Sequence, residues 1–264
     1  MFKFQKEQKV FKIGEVYFGG QPGKRRTVML LPLRSFGVED LKDLRSMLYD
    51  AFIENPVPAA LLIEGTTVDH AGRQFEAACD LAEFPIFVNP SETMDVIDLL
   101  AMAKDLGVTN RVVAGGLNVL TPEATWDSLH ENGIEAAVLK ALNPDDNTMK
   151  GRIYSLEDGG GVIDEGLIDR AKKYGITKPL LDLGGVGSGG SGLRALFVAK
   201  AKWGLPCTCD LGMSLNTPDS IAAMTLIQST GADFVTAAHI DGWRMLSRTL
   251  TFNDSLIAKA LAER

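Results

Sequence analysis

Asp182 closes a short apolar run, Lys178–Leu181, and is followed by ten residues, Leu183 to Gly192, of which six are glycine. An acid at the carboxyl end of a strand, followed by backbone able to lie against a ligand, is how α/β proteins build small-molecule sites. Other apolar runs end in similar fashion. Ala59–Ile63 ends at Glu64, Ile86–Val88 at Asn89, and Arg111–Ala114 runs through two glycines to Asn118. The run from Ala136 to Leu142 contains Lys140 and gives onto Asn143. Leu205–Cys209 leads to Asp210, Gly212, Ser214 and Asn216, and Asp233–Ala238 to His239 and Asp241. If these runs are strands of one sheet, their ends form a ring of carboxylates and amides with one lysine. Such a ring suits a flat heterocycle rich in N–H donors and carbonyl acceptors, a pterin or a purine. A carboxylate accepts two parallel hydrogen bonds from a 2-amino-N–H edge. The ring has one histidine, a poor metal set, and no Ser-His-Asp order.

Each residue also has a plainer role. Asp182 could cap a helix. Asn89 and Asn118 precede helices, where a side-chain cap or turn is the alternative. The direction of Lys140 within its strand is open, and His239 reads as a hydrogen-bonded rim residue. Cys207 and Cys209 share one strand face and read as packing or pocket wall. Asp145, Asp146, Glu157 and Asp158 read as loop caps and solvated acids.

Gly187 to Gly192 fits G-x-G-x-x-G between a strand and a helix, and Asp210 lies about twenty residues on, where a dinucleotide-binding fold puts its ribose acid. Against that reading, the tract begins several residues after its strand, and five strand–helix units precede it rather than none.

The elements that must position the ring alternate regularly. Val10–Phe18 reads as a hairpin around Gly14, ended by Gly19 to Gly23. Strands are expected over Thr27–Leu33, Ala59–Ile63, Ile86–Val88, Arg111–Ala114, Ala136–Leu142, Lys178–Leu181, Leu205–Cys209 and Asp233–Ala238. Helical stripes fall between them: 38–48, 71–82, 93–106, 122–131, 165–174, 191–203 and 218–229, with 253–261 last. Asn143–Gly161, with NPDDN and LEDGGG, breaks the rhythm and is long for a loop. Eight strand–helix units in this length predict a single (β/α)₈ TIM barrel with an N-terminal hairpin, spanning 1–264 as one domain. The rival is an open doubly wound sheet.

Composition narrows the function. The chain is 45% hydrophobic and 23% charged, with a formal net charge of −7. That balance argues against nucleic acid as the main partner. No apolar run approaches the ~20 residues needed to cross a bilayer. The opening MFKFQKEQK lacks an apolar signal core, and three cysteines supply no disulfide framework, so a cytoplasmic location is expected.

Three stretches carry a family resemblance: MFKFQKEQKVFKIG with GGQPG, ALNPDDNTMKGRIYSLEDGGGVID, and KPLLDLG with LRALFVAKAKWGLP. They resemble the H-subunit family of tetrahydromethanopterin S-methyltransferase. The likeness reaches to bacterial relatives (MtgA-type) that move a methyl group between a corrinoid protein and tetrahydrofolate in glycine betaine demethylation. The family is related to pterin-binding TIM barrels, which hold the pterin with an acid after the third strand, an Asn after the fourth and an Asp after the sixth. Asp182 matches the last. The third position is Asn89, and the fourth is Gly115-Gly116, with Asn118 nearest. The Asn of a G-L-S-N after the seventh strand is matched by Asn216 in a segment one residue longer.

The resemblance implies a methyl transfer from a methyl-Co(III) corrinoid protein to N5 of tetrahydrofolate, leaving Co(I). Asn216, Asp182 and Asn118 are then the catalytic candidates. Glu64, Asn89, Asn118, Lys140, Asp182, Gly184, Ser214 and Asn216 would bind the folate. An in-line displacement of this kind needs alignment more than a protein nucleophile. The alternatives are a tetrahydromethanopterin-type methyltransferase and a non-catalytic pterin-binding subunit. The cobalamin-binding pattern D-x-H-x-x-G is absent: His239 and Gly242 have its spacing, but position 237 is Ala. The corrinoid is therefore expected on a separate protein docking at the barrel mouth, and the relatives imply a homodimer.

Overall fold

The structure, a computed structural model, describes residues 3–33, 57–64, 68–80, 84–89, 96–185, 190–210, 218–236 and 243–262. A hairpin, β1 (Val10–Ile13) and β2 (Val16–Gly19), opens the chain. Then follow β3 (Val28–Pro32), β4 (Ala59–Ile63), α1 (Val68–Cys79), β5 (Ile86–Val88), α2 (Val96–Asp105), β6 (Val112–Leu117), α3 (Glu123–Glu131) and β7 (Ala136–Lys140). The second half comprises α4 (Met149–Glu157), α5 (Leu167–Lys173), β8 (Lys178–Gly185), α6 (Ser191–Trp203), β9 (Cys207–Asp210), α7 (Pro218–Thr230), β10 (Phe234–Thr236) and α8 (Trp243–Ala262).

The sheet runs β10-β3-β4-β5-β6-β7-β8-β9, with every ladder parallel. Neighbours in the sheet are neighbours in sequence, and the last strand lies beside the first. This is a barrel, without the reversal of strand order on which a dinucleotide-binding sheet depends. The ring closes between β9 and β10. There the Asp233 N–H donates to the Cys207 carbonyl at 2.8 Å, and the Thr208 hydroxyl donates to the Phe234 carbonyl.

The strands read as unbroken apolar runs because both faces are covered. Met29, Leu31, Leu61, Ile63, Ile86, Val88, Leu139 and Leu181 face the helices. Leu30, Ala60, Leu62, Phe87, Val113, Val138, Leu180 and Phe234 fill the interior, where Ile13, Val16 and Phe18 of the hairpin join them. Phe18 stands 5.7 Å from Phe87 and 6.0 Å from Phe234, ring centre to ring centre. The hairpin therefore plugs one end of the barrel. Burying each such side chain stabilises the fold by roughly 1.5–3 kcal/mol.

Two buried polar clusters fasten this end. Lys200 Nζ, fully buried on α6, bonds both carboxylate oxygens of Asp233 at 2.8 and 3.1 Å and the Gly20 carbonyl at 3.3 Å. The same carboxylate accepts the Cys207 N–H at 2.8 Å. Burial pushes the Asp233 carboxyl up, and the Lys200 ammonium opposes the shift. Asp254 on α8 accepts the Thr27 N–H at 2.9 Å, the Thr27 hydroxyl at 3.0 Å and Gln228 Nε2 at 2.6 Å, tying α8 and α7 to the start of β3.

The departures from the sequence reading are local. β6 and β8 run three residues or more further than expected, through Leu117 and Gly185, each with a register shift near its end. The expected loop 143–161 contains α4. Thr148 caps it by accepting the Gly151 N–H at 3.4 Å, but its buried face carries Gly151, Arg152 and Ser155 beside Ile153 and Leu156. A helix with so polar a buried face leaves little apolar periodicity to read. The last helix begins at Trp243, well before the expected Asn253. The helix expected over 38–48 lies outside the described residues.

Candidate active site

Side chains alternate along a strand, so the residue two positions past an interior apolar one also points inward. Leu62 is followed in this way by Glu64, Phe87 by Asn89, Val138 by Lys140, Leu180 by Asp182 and Phe234 by Thr236. The apolar layer closes the barrel, and the next layer is polar.

Glu64, Asn89, Lys140 and Asp182 line one cavity of about 170 Å³ at the carboxyl ends of the strands, with Gly115, Gly116, Thr208, Cys209 and Thr236. Its floor is Leu30, Leu62, Phe87, Val138 and Phe234. The carboxyl ends of the strands are where barrel enzymes keep their active sites. A flat ring can rest on this apolar floor while its edge meets the carboxylates and amides around it.

Two bulges shape the wall. A Cβ at Gly115 would lie 2.9 Å from the Val88 carbonyl and 3.0 Å from Asn89 Cα. Only glycine lets β6 come this close to Val88 and Asn89 at the end of β5. On β8 the shift falls between Asp182 and Gly185, and Gly184 has φ +80°. Its N–H donates to Asp182 Oδ1 at 2.9 Å. Bulges of this kind re-aim a side chain at the rim of a barrel.

Four of the expected residues are thus brought together. Asn118 is not among them: its Oδ1 accepts the Leu120 N–H at 2.8 Å, and its Nδ2 donates to the Gly116 carbonyl at 2.9 Å. Each polar end of the amide makes one bond within its own turn. Gly184 does not line the cavity but sets the backbone beneath Asp182. Asn143 is buried and structural. Its Oδ1 accepts the N–H groups of Asp145 and Asp146, and its Nδ2 donates to the Gly160 carbonyl, stapling the two ends of the α4 excursion. Ser214, Asn216, His239 and Asp241 lie outside the described residues. Cys207 is buried against the helices, and burial pushes its thiol up. Thr208 and Thr236 were not anticipated, although Thr236 carries the same signal as the others, two positions past an interior Phe.

A fold likeness spans nearly the whole chain. The 7,8-dihydropteroate synthase of Vibrio fischeri superposes with a TM-score of 0.68 at 15% identity, covering 97% of this chain and 99% of that one. The class is therefore a (β/α)₈ barrel with a polar site at its strand ends. The family model described as the tetrahydromethanopterin S-methyltransferase MtrH subunit matches residues 36–224. The tetrahydromethanopterin S-methyltransferase H-subunit of Methanococcus aeolicus is 32% identical over 224 residues, covering 78% of this chain and 70% of that protein. Its counterpart in Methanothermobacter thermautotrophicus is 27% identical over 302 residues, covering 98% and 94%. The chain belongs to the MtrH family of methyltransferase subunits.

Proposed function

We propose that this chain, acting as one domain over 1–264, binds a reduced pterin and transfers a methyl group between its N5 and a corrinoid carried by a partner protein. The observation that carries the reading is the layered cavity: Glu64, Asn89, Lys140 and Asp182 above Phe87 and Phe234, in a member of the MtrH family. Asp182 grips the 2-amino-pyrimidine edge with a carboxylate, and Asn89 adds an amide where related barrels use an acid. Lys140 offsets the two carboxylates. The apolar floor supports the ring, leaving N5 open to the mouth. The corrinoid supplies the cobalt that carries or accepts the methyl group. No nucleophilic side chain is required, because alignment does the work.

The names of the relatives favour tetrahydromethanopterin as the pterin over the tetrahydrofolate that the MtgA-type resemblance implied. The two share the edge that Asp182 faces. Ser214 and Asn216 remain candidates for the contacts nearest N5. Two further parts of the reading are homodimerisation and a location on the cytoplasmic side. No helix among the described residues is long and apolar enough to cross a membrane.

The test is anaerobic. Purified protein and methylcobalamin are mixed with tetrahydromethanopterin or with tetrahydrofolate, and loss of the methyl-Co(III) absorbance is followed. Pterin-dependent conversion is expected, faster with tetrahydromethanopterin. Calorimetry showing that neither reduced pterin binds would overturn the reading.

A further inference from the structure

The structure assigns to Arg152 a role as the positioning residue for Asp182. The assignment rests on the reading that Asp182 grips the pterin edge.

Arg152 is delivered by α4, the helix absent from the sequence reading, and is 8% exposed. It reaches the back of the site at two points, one on each side of Asp182. Its Nη1 donates to the Ala141 carbonyl at 3.2 Å. The N–H of the same Ala141 donates to the Asp182 carbonyl at 2.8 Å. The guanidinium thus holds the residue that holds the Asp182 main chain.

The second point is Gly184. A Cβ there would stand 2.7 Å from the guanidinium carbon, so the planar group lies directly against the glycine backbone. The Gly184 N–H is the donor to Asp182 Oδ1 at 2.9 Å. One side chain therefore braces the residue that fixes the Asp182 carbonyl and the residue that fixes its carboxylate. It does so at the register shift that begins just after Asp182 and places Gly184 beneath it.

Packing alone does not call for this residue. Burying a charge is costly unless it is well hydrogen-bonded, and a leucine would fill the position. Lysine would keep the charge and the donor but not the flat face that fits Gly184. Arg152 does not line the cavity and acts through Asp182.

The experiment is a double-mutant cycle on the full chain. The dissociation constant of tetrahydromethanopterin or tetrahydrofolate, whichever binds tighter, is measured by calorimetry for wild type, Arg152→Gln, Asp182→Ala and the double variant. Thermal midpoints are recorded alongside. Arg152→Gln is expected to weaken binding about tenfold in the wild-type background, the value of one good hydrogen bond. In the Asp182→Ala background it is expected to weaken binding by less than about twofold, because its route to the ligand is gone. A structural role would lower the thermal midpoint while weakening binding by the same factor in both backgrounds, and that result overturns the assignment. So does an unchanged constant in Arg152→Gln. Arg152→Lys carries the same cycle if the glutamine variant does not fold, with an intermediate loss expected. If Asp182→Ala alone leaves binding unchanged, Asp182 does not grip the pterin edge, and the assignment falls with it. If it weakens binding and Arg152→Gln does not, only the positioning role has failed.

Discussion

Lys140 and Asp182 are register partners across the β7–β8 ladder and both line the cavity, so a cation and an acid stand side by side on the inner wall. Strands are spaced about 4.8 Å apart, which makes these two residues neighbours through the backbone and sets both side chains on the ligand's side. With Glu64 the pair makes up the charged groups on the described wall, and Asn89, Thr208 and Thr236 are among its neutral polar groups.

Removing the acid tests the pair directly. Asp182→Ala should raise KM for the reduced pterin by an order of magnitude or more, since a hydrogen bond to a charged group contributes about 1.5–3 kcal/mol. Steady-state kinetics at saturating methylcobalamin measure it. An unchanged KM removes Asp182 from the pterin site.

Gly115, on the strand next to β7, gives a steric test. Gly115→Ala puts a methyl 2.9 Å from the Val88 carbonyl, so β5 and β6 must part. The expected cost is about 1–3 kcal/mol in stability, with weaker pterin binding because Asn89 moves. A variant as stable as wild type in urea, binding pterin normally, contradicts the close approach.

Asn118 separates a turn residue from a ligand. Asn118 bonds Gly116 and Leu120 and does not line the cavity, so Asn118→Ala should cost about 1 kcal/mol of stability and leave the pterin KM unchanged. A tenfold rise in KM would restore Asn118 to the site.

The cluster at the plugged end is sensitive to pH. Burial raises the Asp254 carboxyl above its ordinary 3.8, against hydrogen bonds from the Thr27 N–H, Gln228 and the Thr27 hydroxyl and the Arg26 charge. The folded state thus holds this proton more tightly than the unfolded one. The contribution is fully present below the unfolded value and is lost as pH rises through the raised one. Asp254→Asn abolishes the titration. The stability gap between wild type and variant should therefore shift in favour of wild type as pH falls through that window, read from urea midpoints at constant m. A shift in favour of the variant on acidification sinks the assignment.

Much of the barrel is legible in the sequence because its strands are short apolar runs closed by polar residues. Strands β4 and β5 fall where the runs Ala59–Ile63 and Ile86–Val88 put them. The same spacing finds Glu64, Asn89 and Asp182, since each sits at the next inward position. It does not separate the two roles of Asn118 and Asn143, because an amide suits a turn as well as it suits a ligand, and both side chains bond backbone of their own loops. It fails at α4 because the buried face of that helix is built from Gly151, Arg152 and Ser155, and polarity there looks like a loop.

The hairpin under the barrel bears on the order of events in catalysis. With Phe18 packed against Phe87 and Phe234, nothing crosses the barrel, and a ring lying on those phenylalanines enters and leaves by the strand-end mouth. On the proposed function, a corrinoid protein seated on that mouth would cover the exit. The proposed function therefore predicts compulsory-order turnover: pterin first, partner second, and the pterin product last to leave. The expected signature is product inhibition by the methylated pterin that is competitive with the free pterin and noncompetitive with the methylated partner. A random-order pattern would mean that the docked partner leaves a side passage open.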